Sequence, residues 1–430
     1  MTASSADLKG ILNADGRNRR VMPPPGSKGS AATIAWLRER FRRYYRDAKI
    51  ELPPRFARRE YGFMFWEPGM MQRHQSFKSG EGLREFLVSR TPMHAYYSSA
   101  YYETPGAPTM EEKGWLGADL IFDLDADHIE RVKGMPYEEM LEVVKSEVVK
   151  IVDQYLLGDF GFDPSSILIT FSGGRGYHIH VRDPRVWELH GHERREIVDY
   201  ITGTGLDAES LFHRVPIELK RWKDKATVKY RHQLPTPDEP GWPGRLAHGI
   251  LAATEEVGKM ERSDAVAHLV TVGGLTPKIA GEMYDALFQG RAGSRGVDRL
   301  RRGDIDFFPS EKYLEPFRKV FVPQAVDLGK RETDEPVTSD IKRLIRMPHT
   351  LHGKTGLFVV PMGRDAIDRF VPLRDAVPPA WSADSLKMEL RGKISLAMRD
   401  ETFNLEEGVN EVPEYVAVFL ACRGIASVAA

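Results

Sequence analysis

The sequence contains a single cysteine, Cys422, among 430 residues. One cysteine excludes an internal disulfide bond and any metal site built from several thiolates. Long apolar runs are missing too: none approaches the roughly 18–20 residues of a membrane-spanning helix, and the amino terminus lacks the apolar core of a secretory signal. We therefore expect a soluble protein of the cytoplasm with no membrane partner.

An excess of charge of either sign is also absent, because 61 Lys and Arg residues stand against 62 Asp and Glu residues, a net charge of −1. Without a global field to attract a polyanion, any nucleic-acid surface must be a local patch. Hydrophobic residues make up 41% and charged residues 29%, which excludes wholesale disorder and a collagen-like fold. The length of 430 residues is greater than one hydrophobic core usually holds, so we predict two or three packed units.

Hydrophobic periodicity indicates where regular structure lies. Residues 118–125, 167–171 and 177–181 are rich in β-forming residues. Apolar residues at helical spacing over 138–157 predict a long amphipathic helix between the first two runs. The glycine-rich segment 172–176 separates the last two runs and predicts a hairpin.

Helical patterns dominate after residue 186, and β texture returns near 357–361. We therefore predict an α/β (α+β) catalytic domain with mixed sheets, interrupted by a mostly helical insertion. Three consecutive prolines and little periodic hydrophobicity predict a flexible amino-terminal tail. The predicted boundaries are 1–30 for the tail, 31–185 for the first part of the catalytic domain, 186–325 for the insertion, and 326–430 for the second part with C-terminal helices.

The sharpest local signal is Phe122-Asp123-Leu124-Asp125 at the end of a predicted strand. Alternate residues of a strand face the same way, so the two aspartates share one face while Phe122 and Leu124 turn to the core. Two close carboxylates repel unless a cation lies between them, and hard divalent ions prefer oxygen ligands. Paired ions of this kind support phosphoryl transfer. A solvated strand end with two unrelated aspartates is the alternative.

A second cluster follows, Ser-Gly-Gly-Arg-Gly-Tyr-His-Ile-His at 172–180. Glycines let backbone amides approach an anion, and Ser172 and Arg175 add hydrogen bonds to phosphate oxygens. The segment is not a dinucleotide-binding fingerprint, because Ile179 occupies the position of the last glycine. A hairpin turn with an exposed arginine is the alternative. His180 is better explained as a packed residue than as a metal ligand.

Cations and hydroxyl groups are dense over 343–356. The Gly-Lys-Thr triplet at 353–355 is not a phosphate-binding P-loop, because Pro348 stands where the first glycine of that motif would fall. What remains is a basic run before a strand, which suits a triphosphate or a template backbone. A solvated basic loop is the alternative.

Together the clusters resemble the small catalytic subunit of archaeo-eukaryotic DNA primases, in its archaeal form. The resemblance spans residues 34–362 and rests on five motifs in the family's order. They are Arg-His-Gln-Ser-Phe at 73–77, Phe-Asp-Leu-Asp-Ala-Asp at 122–127, Phe-Ser-Gly-Gly-Arg-Gly-Tyr-His at 171–178, Asp-Glu-Pro-Val-Thr at 334–338, and Leu-Ile-Arg-Met-Pro-His-Thr-Leu-His-Gly-Lys-Thr-Gly-Leu at 344–357. The helical insertion matches by position more than by motif.

The resemblance implies a role for particular residues. Asp123, Asp125 and Asp334 become catalytic metal ligands in a two-metal site for Mg²⁺ or Mn²⁺, with Asp340 as the less favoured choice for the third position. The implied nucleotide-binding residues are Ser172, Arg175, His178, Arg346, His352, Lys354 and Arg73.

The implied activity is synthesis of short primers on single-stranded DNA from nucleoside triphosphates by nucleotidyl transfer. The implied partners are a large primase subunit and the DNA template, and the implied location is the nucleoid. A repair-type primase-polymerase of the same superfamily is the nearest alternative, but the long insertion favours the replicative form. A non-catalytic subunit that binds single-stranded DNA is a second alternative, and the three filled acidic positions argue against it. A metal-dependent nuclease is a weaker third.

Template DNA requires a basic groove lined by cations, with aromatic rings for stacking. The candidate cations are Lys220, Arg221, Lys223, Lys225, Lys229, Arg231, Arg299, Arg301 and Arg302. Solvation explains each of them at least as well. The tyrosines Tyr96, Tyr97, Tyr101 and Tyr102 could stack on bases, but an aromatic-rich strand in the core is the better account.

One segment departs from the archaeal pattern. Archaeal small subunits commonly carry a zinc-binding knuckle of Cys and His residues between the Asp-x-Asp strand and the next helix. Here that connection contains His128 and no cysteine, and Tyr137-x-x-Met140-Leu141 stands where a C-x-x-C-L pattern would fall. Zinc needs three or four closely spaced N or S donors. We therefore predict no structural zinc, with Tyr137, Met140 and Leu141 packed on the sheet instead.

Overall fold

The computed structural model describes residues 28–67, 69–222, 225–290 and 294–429. The strands are β1 (Tyr61–Met64), β2 (Gln72–Gln75), β3 (His94–Ser98), β4 (Ala100–Tyr102), β5 (Trp115–Ala118), β6 (Leu120–Asp125), β7 (Ile167–Phe171), β8 (Gly176–Val181), β9 (His213–Trp222), β10 (Lys225–Gln233), β11 (Leu344–Arg346), β12 (Val360–Met362), β13 (Ser385–Leu390), β14 (Ile394–Met398), β15 (Glu401–Leu405), β16 (Gly408–Pro413) and β17 (Ala426–Val428). The predicted tail, 1–30, lies outside the described residues except at its end, where the first helix already begins.

The α-helices are α1 (Lys28–Asp47), α2 (Gly80–Arg90), α3 (Tyr137–Lys150), α4 (Gly191–Thr202), α5 (Gly241–Gly258), α6 (Arg262–Gly273), α7 (Pro277–Tyr284), α8 (Gly296–Leu300), α9 (Leu314–Gly329), α10 (Glu335–Ser339), α11 (Arg364–Ile367), α12 (Pro372–Asp375) and α13 (Glu414–Cys422). The predicted helix over 138–157 is present, and its second half is π-helical over Ile151–Asp159. No described helix is both long enough and apolar enough to span a bilayer.

The sheet that carries the acidic motif has the strand order β12-β7-β8-β6. The predicted hairpin is confirmed, with β7 and β8 antiparallel from Ile167 opposite Val181 to Phe171 opposite Tyr177. Helix α3 connects β6 to β7, which run parallel to each other, but β8 lies between them and pairs antiparallel with both. This split β-α-β arrangement explains why the prediction of mixed sheets is wrong: every strand pair in the described residues is antiparallel.

Period-two alternation positions the acidic residues on β6. Phe122 and Leu124 are buried, whereas Asp123 and Asp125 keep partial exposure. Helix α3 buries its apolar face against β8 and β6. That burial orders the strand whose other face carries the carboxylates.

A second sheet brings a distant part of the chain to the same region, in the order β11-β3-β1-β2. Strand β11 pairs with β3, so that Arg346 lies opposite Tyr96 and Ile345 opposite Tyr97. Tyr97, Tyr101 and Tyr102 are buried, which confirms the interpretation as core for these three tyrosines, whereas Tyr96 stays partly exposed.

The chain packs as two compact units, one made of the described parts of 1–153, 161–198 and 332–430, the other of 154–160 and 199–331. The second unit has its own hydrophobic core, to which helices α5, α6 and α9 contribute. It also contains the long β9–β10 hairpin, which the sequence analysis did not anticipate. The signal was present, because Val215, Ile217 and Leu219 alternate at period two. The predicted domain boundaries at 186 and 325 stay predictions.

Candidate active site

Three aspartates lie near the carboxyl end of β6. The side chains of Asp123 and Asp125 are 21% and 31% exposed and lie on one face of the strand. Asp334 stands at the amino end of α10, and its backbone N–H donates to the carbonyl oxygen of Asp123 at 3.0 Å. Thr333 Oγ1 donates to the same oxygen at 3.2 Å. The third acidic position is thus tied to the first, and its carboxylate makes no capping hydrogen bond to α10.

The electrostatics of Asp123 indicate unbalanced negative charge. Burial raises the pKa of Asp123 to about 7, and the charges of Asp125 and Asp334 act in the same direction. Arg343 and Arg346 lower it, but they do not outweigh the other effects. Carboxylates in this state favour a cation among them.

The chemistry of these donors suits a hard divalent ion, since all three are carboxylates. Among the described residues, no group of three His, Cys, Asp or Glu side chains is close enough together to hold an ion. An ion shared by Asp123, Asp125 and Asp334 therefore requires side-chain rotation. Partial exposure at all three positions leaves room for it.

His178 lies opposite Asp123 in the β6–β8 register, with Nε2 at 3.5 Å from Oδ1. Burial lowers the pKa of His178 to about 3, and Arg346 and Arg343 lower it further. The ring is therefore neutral at physiological pH. Its Nδ1 is buried and has no hydrogen-bond partner among the described residues.

The glycine-rich turn places Arg175 beside the acidic strand. Arg175 pairs with Asp127 and approaches Asp125 Oδ1 at 3.7 Å. Ser172 Oγ accepts a hydrogen bond from the Gly174 N–H at 3.3 Å. A Cβ at Gly176 would lie 2.3 Å from the Leu124 carbonyl oxygen, so only glycine lets the turn approach β6 this closely.

The basic segment supplies further cations. The guanidinium of Arg346 lies 4.5 Å from the ring centroid of Tyr96, and its Nη1 is buried without a hydrogen-bond partner in the described part of the chain. Partial burial lowers the pKa of Lys354, and the charges of Arg346 and Arg175 lower it further. Lys354 thus stands in a field of like charge, which an anion would relieve.

The loop that carries Lys354 is joined to the glycine-rich turn. Thr355 Oγ1 donates to the Gly173 carbonyl at 2.5 Å and lies 3.2 Å from His352 Nδ1. The structure therefore brings together six of the seven predicted nucleotide-binding residues on two connected loops and the strands beside them. His352 itself is buried, and burial together with Arg346 holds its pKa well below the usual range.

Comparison with known proteins shows which family the chain belongs to. A family model described as DNA primase small subunit matches residues 122–364. The chain is similar to the DNA primase small subunit PriS of Methanothrix thermoacetophila, with 42% identity over 405 residues, 92% of this chain and 99% of that protein. The chain belongs to the DNA primase small-subunit family.

Further relatives agree. The proteins named DNA primase small subunit PriS in Methanocella arvoryzae and Halobacterium salinarum are 40% and 39% identical to it, each over 92% of this chain and 98% of its own length. The family predicted from the sequence motifs is confirmed, and with it the enzyme class.

Arg73 is the predicted site residue that the structure places in other contacts. Its Nε and Nη2 donate to the two carboxylate oxygens of Glu60 at 2.9 and 3.2 Å. Glu60 is buried and also lies 3.6 Å from the ammonium of Lys113. Sequence spacing did not reveal this pair, and the nucleotide-binding role of Arg73 stays a prediction.

Several residues of the site were missed by the sequence analysis. The charge of Arg343 lowers the pKa of Asp123 and of His178, and the charge of Arg423 lowers the pKa of Lys354. Buried His94 accepts a hydrogen bond from Gly353, in the loop that carries Lys354. Arg423 and His94 lie far along the chain from the motifs and carry no local signal. Arg343 lies within the basic run, but nothing distinguished it from its neighbours.

The candidate template cations fall into three groups, the smallest being Arg302 alone, which is exposed. Those the structure describes with side-chain contacts are ion-paired: Arg231 and Arg299 with Asp304 at 2.8 and 2.7 Å, and Arg301 with Glu255 at 2.6 Å. This supports the interpretation of a structural or solvated surface for them. The candidates Lys220, Arg221, Lys223, Lys225 and Lys229 lie outside the described side chains.

The connection that lacks a zinc knuckle is ordered by packing. Tyr137, Met140 and Leu141 are buried, as predicted. The Tyr137 hydroxyl donates to the Gly174 carbonyl, and Arg131 pairs with Glu147 at 2.5 Å. Cys422 is fully buried, as expected for a small hydrophobic residue, and His180 is buried with its ring parallel to that of Tyr97. The absence of structural zinc stays a prediction.

Proposed function

We propose that this chain is a primase catalytic subunit that synthesises short primers on single-stranded DNA from nucleoside triphosphates by two-metal nucleotidyl transfer. One observation carries the proposal: a carboxylate strand end with unbalanced negative charge stands beside two joined loops with unbalanced positive charge. A triphosphate with divalent ions has charges of both kinds and fits between them.

Asp123, Asp125 and Asp334 would hold Mg²⁺ or Mn²⁺. When bound, such ions supply Lewis acidity that lowers the pKa of the attacking hydroxyl and offsets phosphate charge. The raised pKa of Asp123 supports this assignment, because a cation would return that carboxylate to its charged form.

The basic side chains hold the triphosphate in line for transfer. Lys354 and the unpartnered Nη1 of Arg346 offer donors to phosphate oxygens. Arg175 is restrained by Asp127 and can exchange that carboxylate for a phosphate. Neutral His178 offers a hydrogen bond without adding charge, and the Ser172 hydroxyl caps the turn. These groups offset the charge that develops on departing pyrophosphate.

The finer expectations complete the proposal. The chain acts at the nucleoid in the cytoplasm, with a large primase subunit as partner and single-stranded DNA as template. The unit formed by 154–160 and 199–331 is the helical insertion of a primase-type catalytic domain. The near-neutral net charge supports the need for a partner, because the chain has no broad basic field to hold DNA alone.

A direct assay tests the function. The chain is incubated with a circular single-stranded template, labelled nucleoside triphosphates and Mg²⁺ or Mn²⁺, with no primer. We expect labelled oligomers that disappear when the template is omitted. Degradation of the template without synthesis would support a nuclease instead. In a parallel reaction with an added primer, synthesis only in that reaction would favour the repair-type polymerase.

A further inference from the structure

His94 is a buried histidine outside the sequence motifs, yet it contacts the loop that carries Lys354. It is the first residue of β3 and is 1% exposed. Its Nδ1 lies 3.1 Å from the backbone nitrogen of Gly353, the residue before Lys354. A backbone N–H can only donate, so Nδ1 is the acceptor and the ring is neutral with its proton on Nε2.

The contacts continue from His94 to the glycine-rich turn. The rings of His94 and His352 pack edge to face, with centroids 4.9 Å apart. The His352 N–H donates to the Leu357 carbonyl at 2.8 Å, and its Nδ1 faces Thr355, which bonds Gly173. The loop is therefore held from the strand side by His94 and from the turn side by Thr355.

Gly353 is pressed against the start of β3. A Cβ there would lie 1.9 Å from Met93 Cγ and 2.8 Å from the Met93 carbonyl oxygen. The amide of Gly353 is buried at this contact. A buried N–H without an acceptor is unfavourable, so loss of the Nδ1 acceptor favours movement of the loop.

We propose that His94 is a positioning residue for nucleotide binding, which holds the Gly353 amide and thereby fixes the Lys354 ammonium where the triphosphate binds. The inference rests on the proposed function, since the ligand of Lys354 is a nucleoside triphosphate only there. Burial, Arg346 and Lys354 hold the pKa of His94 well below the usual range, which keeps the acceptor available.

Two variants separate the acceptor from the ring. His94→Leu removes the acceptor at similar volume, whereas His94→Asn places an oxygen near the position of Nδ1. We expect His94→Leu to weaken equilibrium binding of Mg²⁺·ATP about tenfold and to raise KM to match, with kcat within about twofold. His94→Asn restores binding to within about threefold. His232→Leu, at another buried histidine, leaves ATP binding unchanged.

A double-mutant cycle with Lys354→Ala tests whether His94 affects ATP binding through Lys354. If His94 acts through Lys354, His94→Leu changes ATP binding by less than about twofold in the Lys354→Ala background. Fully additive losses would overturn the inference, and so would a fall in kcat at unchanged ATP affinity. If His94→Leu does not fold, His94→Gln replaces it, because its acceptor atom lies one bond further from the backbone. ATP affinity of His94→Gln equal to that of His94→Asn would then contradict the inference.

The two proposals fail in different ways. Wild-type protein that binds no Mg²⁺·ATP contradicts the proposed function. Wild-type protein that binds it, together with a folded His94→Leu variant of equal affinity, contradicts only the role of His94.

Discussion

Asp119, just before β6, and Asp123, within it, stand four residues apart in opposite electrostatic surroundings. Asp119 is fully buried, and its Oδ2 accepts from the equally buried Arg59 at 2.8 Å. The Tyr101 hydroxyl donates to its other oxygen, and Arg182 lies 3.9 Å away. This carboxylate is compensated on every side.

Asp123 has no such partner in the described part of the chain. Neutral His178 lies 3.5 Å away, and burial raises the pKa of Asp123, with its acidic neighbours acting in the same direction. The comparison shows that charge compensation, and not burial, distinguishes Asp119 from Asp123, the proposed metal ligand. Arg59 compensates the first carboxylate, whereas the second is left for the cation that we propose.

The largest expected effect concerns the uncompensated end. Asp123→Asn and Asp125→Asn should each reduce primer synthesis by at least about a thousandfold, because they remove a metal-binding charge and keep the shape. The measurement is the primer assay, with circular dichroism to verify folding. More than a small fraction of activity in both variants would remove the basis for a metal role.

The compensated end should respond in the opposite way. Asp119→Asn leaves the Arg59 charge buried without its carboxylate, and we expect a loss of about 3 kcal/mol in the free energy of unfolding. Denaturant titration measures it. As a matched control, Glu406→Gln breaks an exposed pair with Lys393, 2.6 Å apart, and should leave the midpoint unchanged. Equal midpoints for the Asp119 variant and the control would contradict the comparison.

The cations beside the acidic end give a smaller effect. Arg175→Ala and Lys354→Ala should each raise KM for nucleotide about 10- to 30-fold, since each removes one charge-assisted contact to phosphate. Template affinity, measured by gel shift, should change by less than about twofold. The assignment to the triphosphate is wrong if template affinity falls while KM stays constant.

The sequence predicted this site where the signal is local. The shared face of Asp123 and Asp125 follows from strand alternation, and the approach of Arg175 follows from the glycine turn. Asp334 could be chosen among its acidic neighbours only through the family motif. Its link to Asp123 is a backbone hydrogen bond across 211 residues of chain.

Contacts between distant segments account for what could not be predicted. His94 lies 259 residues from Gly353, and no spacing rule connects them. The Glu60–Arg73 pair depends on how β1 and β2 align. The error about mixed sheets arose because the sequence indicates that α3 connects two strands, but not that β8 inserts between them.

The pH dependence of the free energy of unfolding is a still smaller effect. Its sign tests whether Asp123, unlike Asp119, lacks charge compensation. A folded-state pKa of about 7, raised from 3.8, means that folding opposes ionisation of Asp123. Stability from this group is complete below pH 4 and is lost as the pH rises to 7. In chelator, Asp123→Asn should therefore gain about 1–2 kcal/mol over wild type at pH 8, and almost nothing at pH 3.5. A gain independent of pH would contradict the raised pKa.

The smallest expected effect is that of chelators on the fold. The segment after β6 has packing at the place where the sequence analysis looked for a zinc-binding knuckle: Tyr137 donates to the Gly174 carbonyl, and Met140 and Leu141 are buried. A strong chelator should therefore stop synthesis by removing the ions that we propose at the acidic end, while the unfolding midpoint moves by less than about 1 °C, because we predict no structural zinc that contributes to folding. Elemental analysis provides the independent measurement. One tightly held zinc per chain, or a cooperative loss of structure in chelator, would show that the fold depends on a metal outside the acidic end.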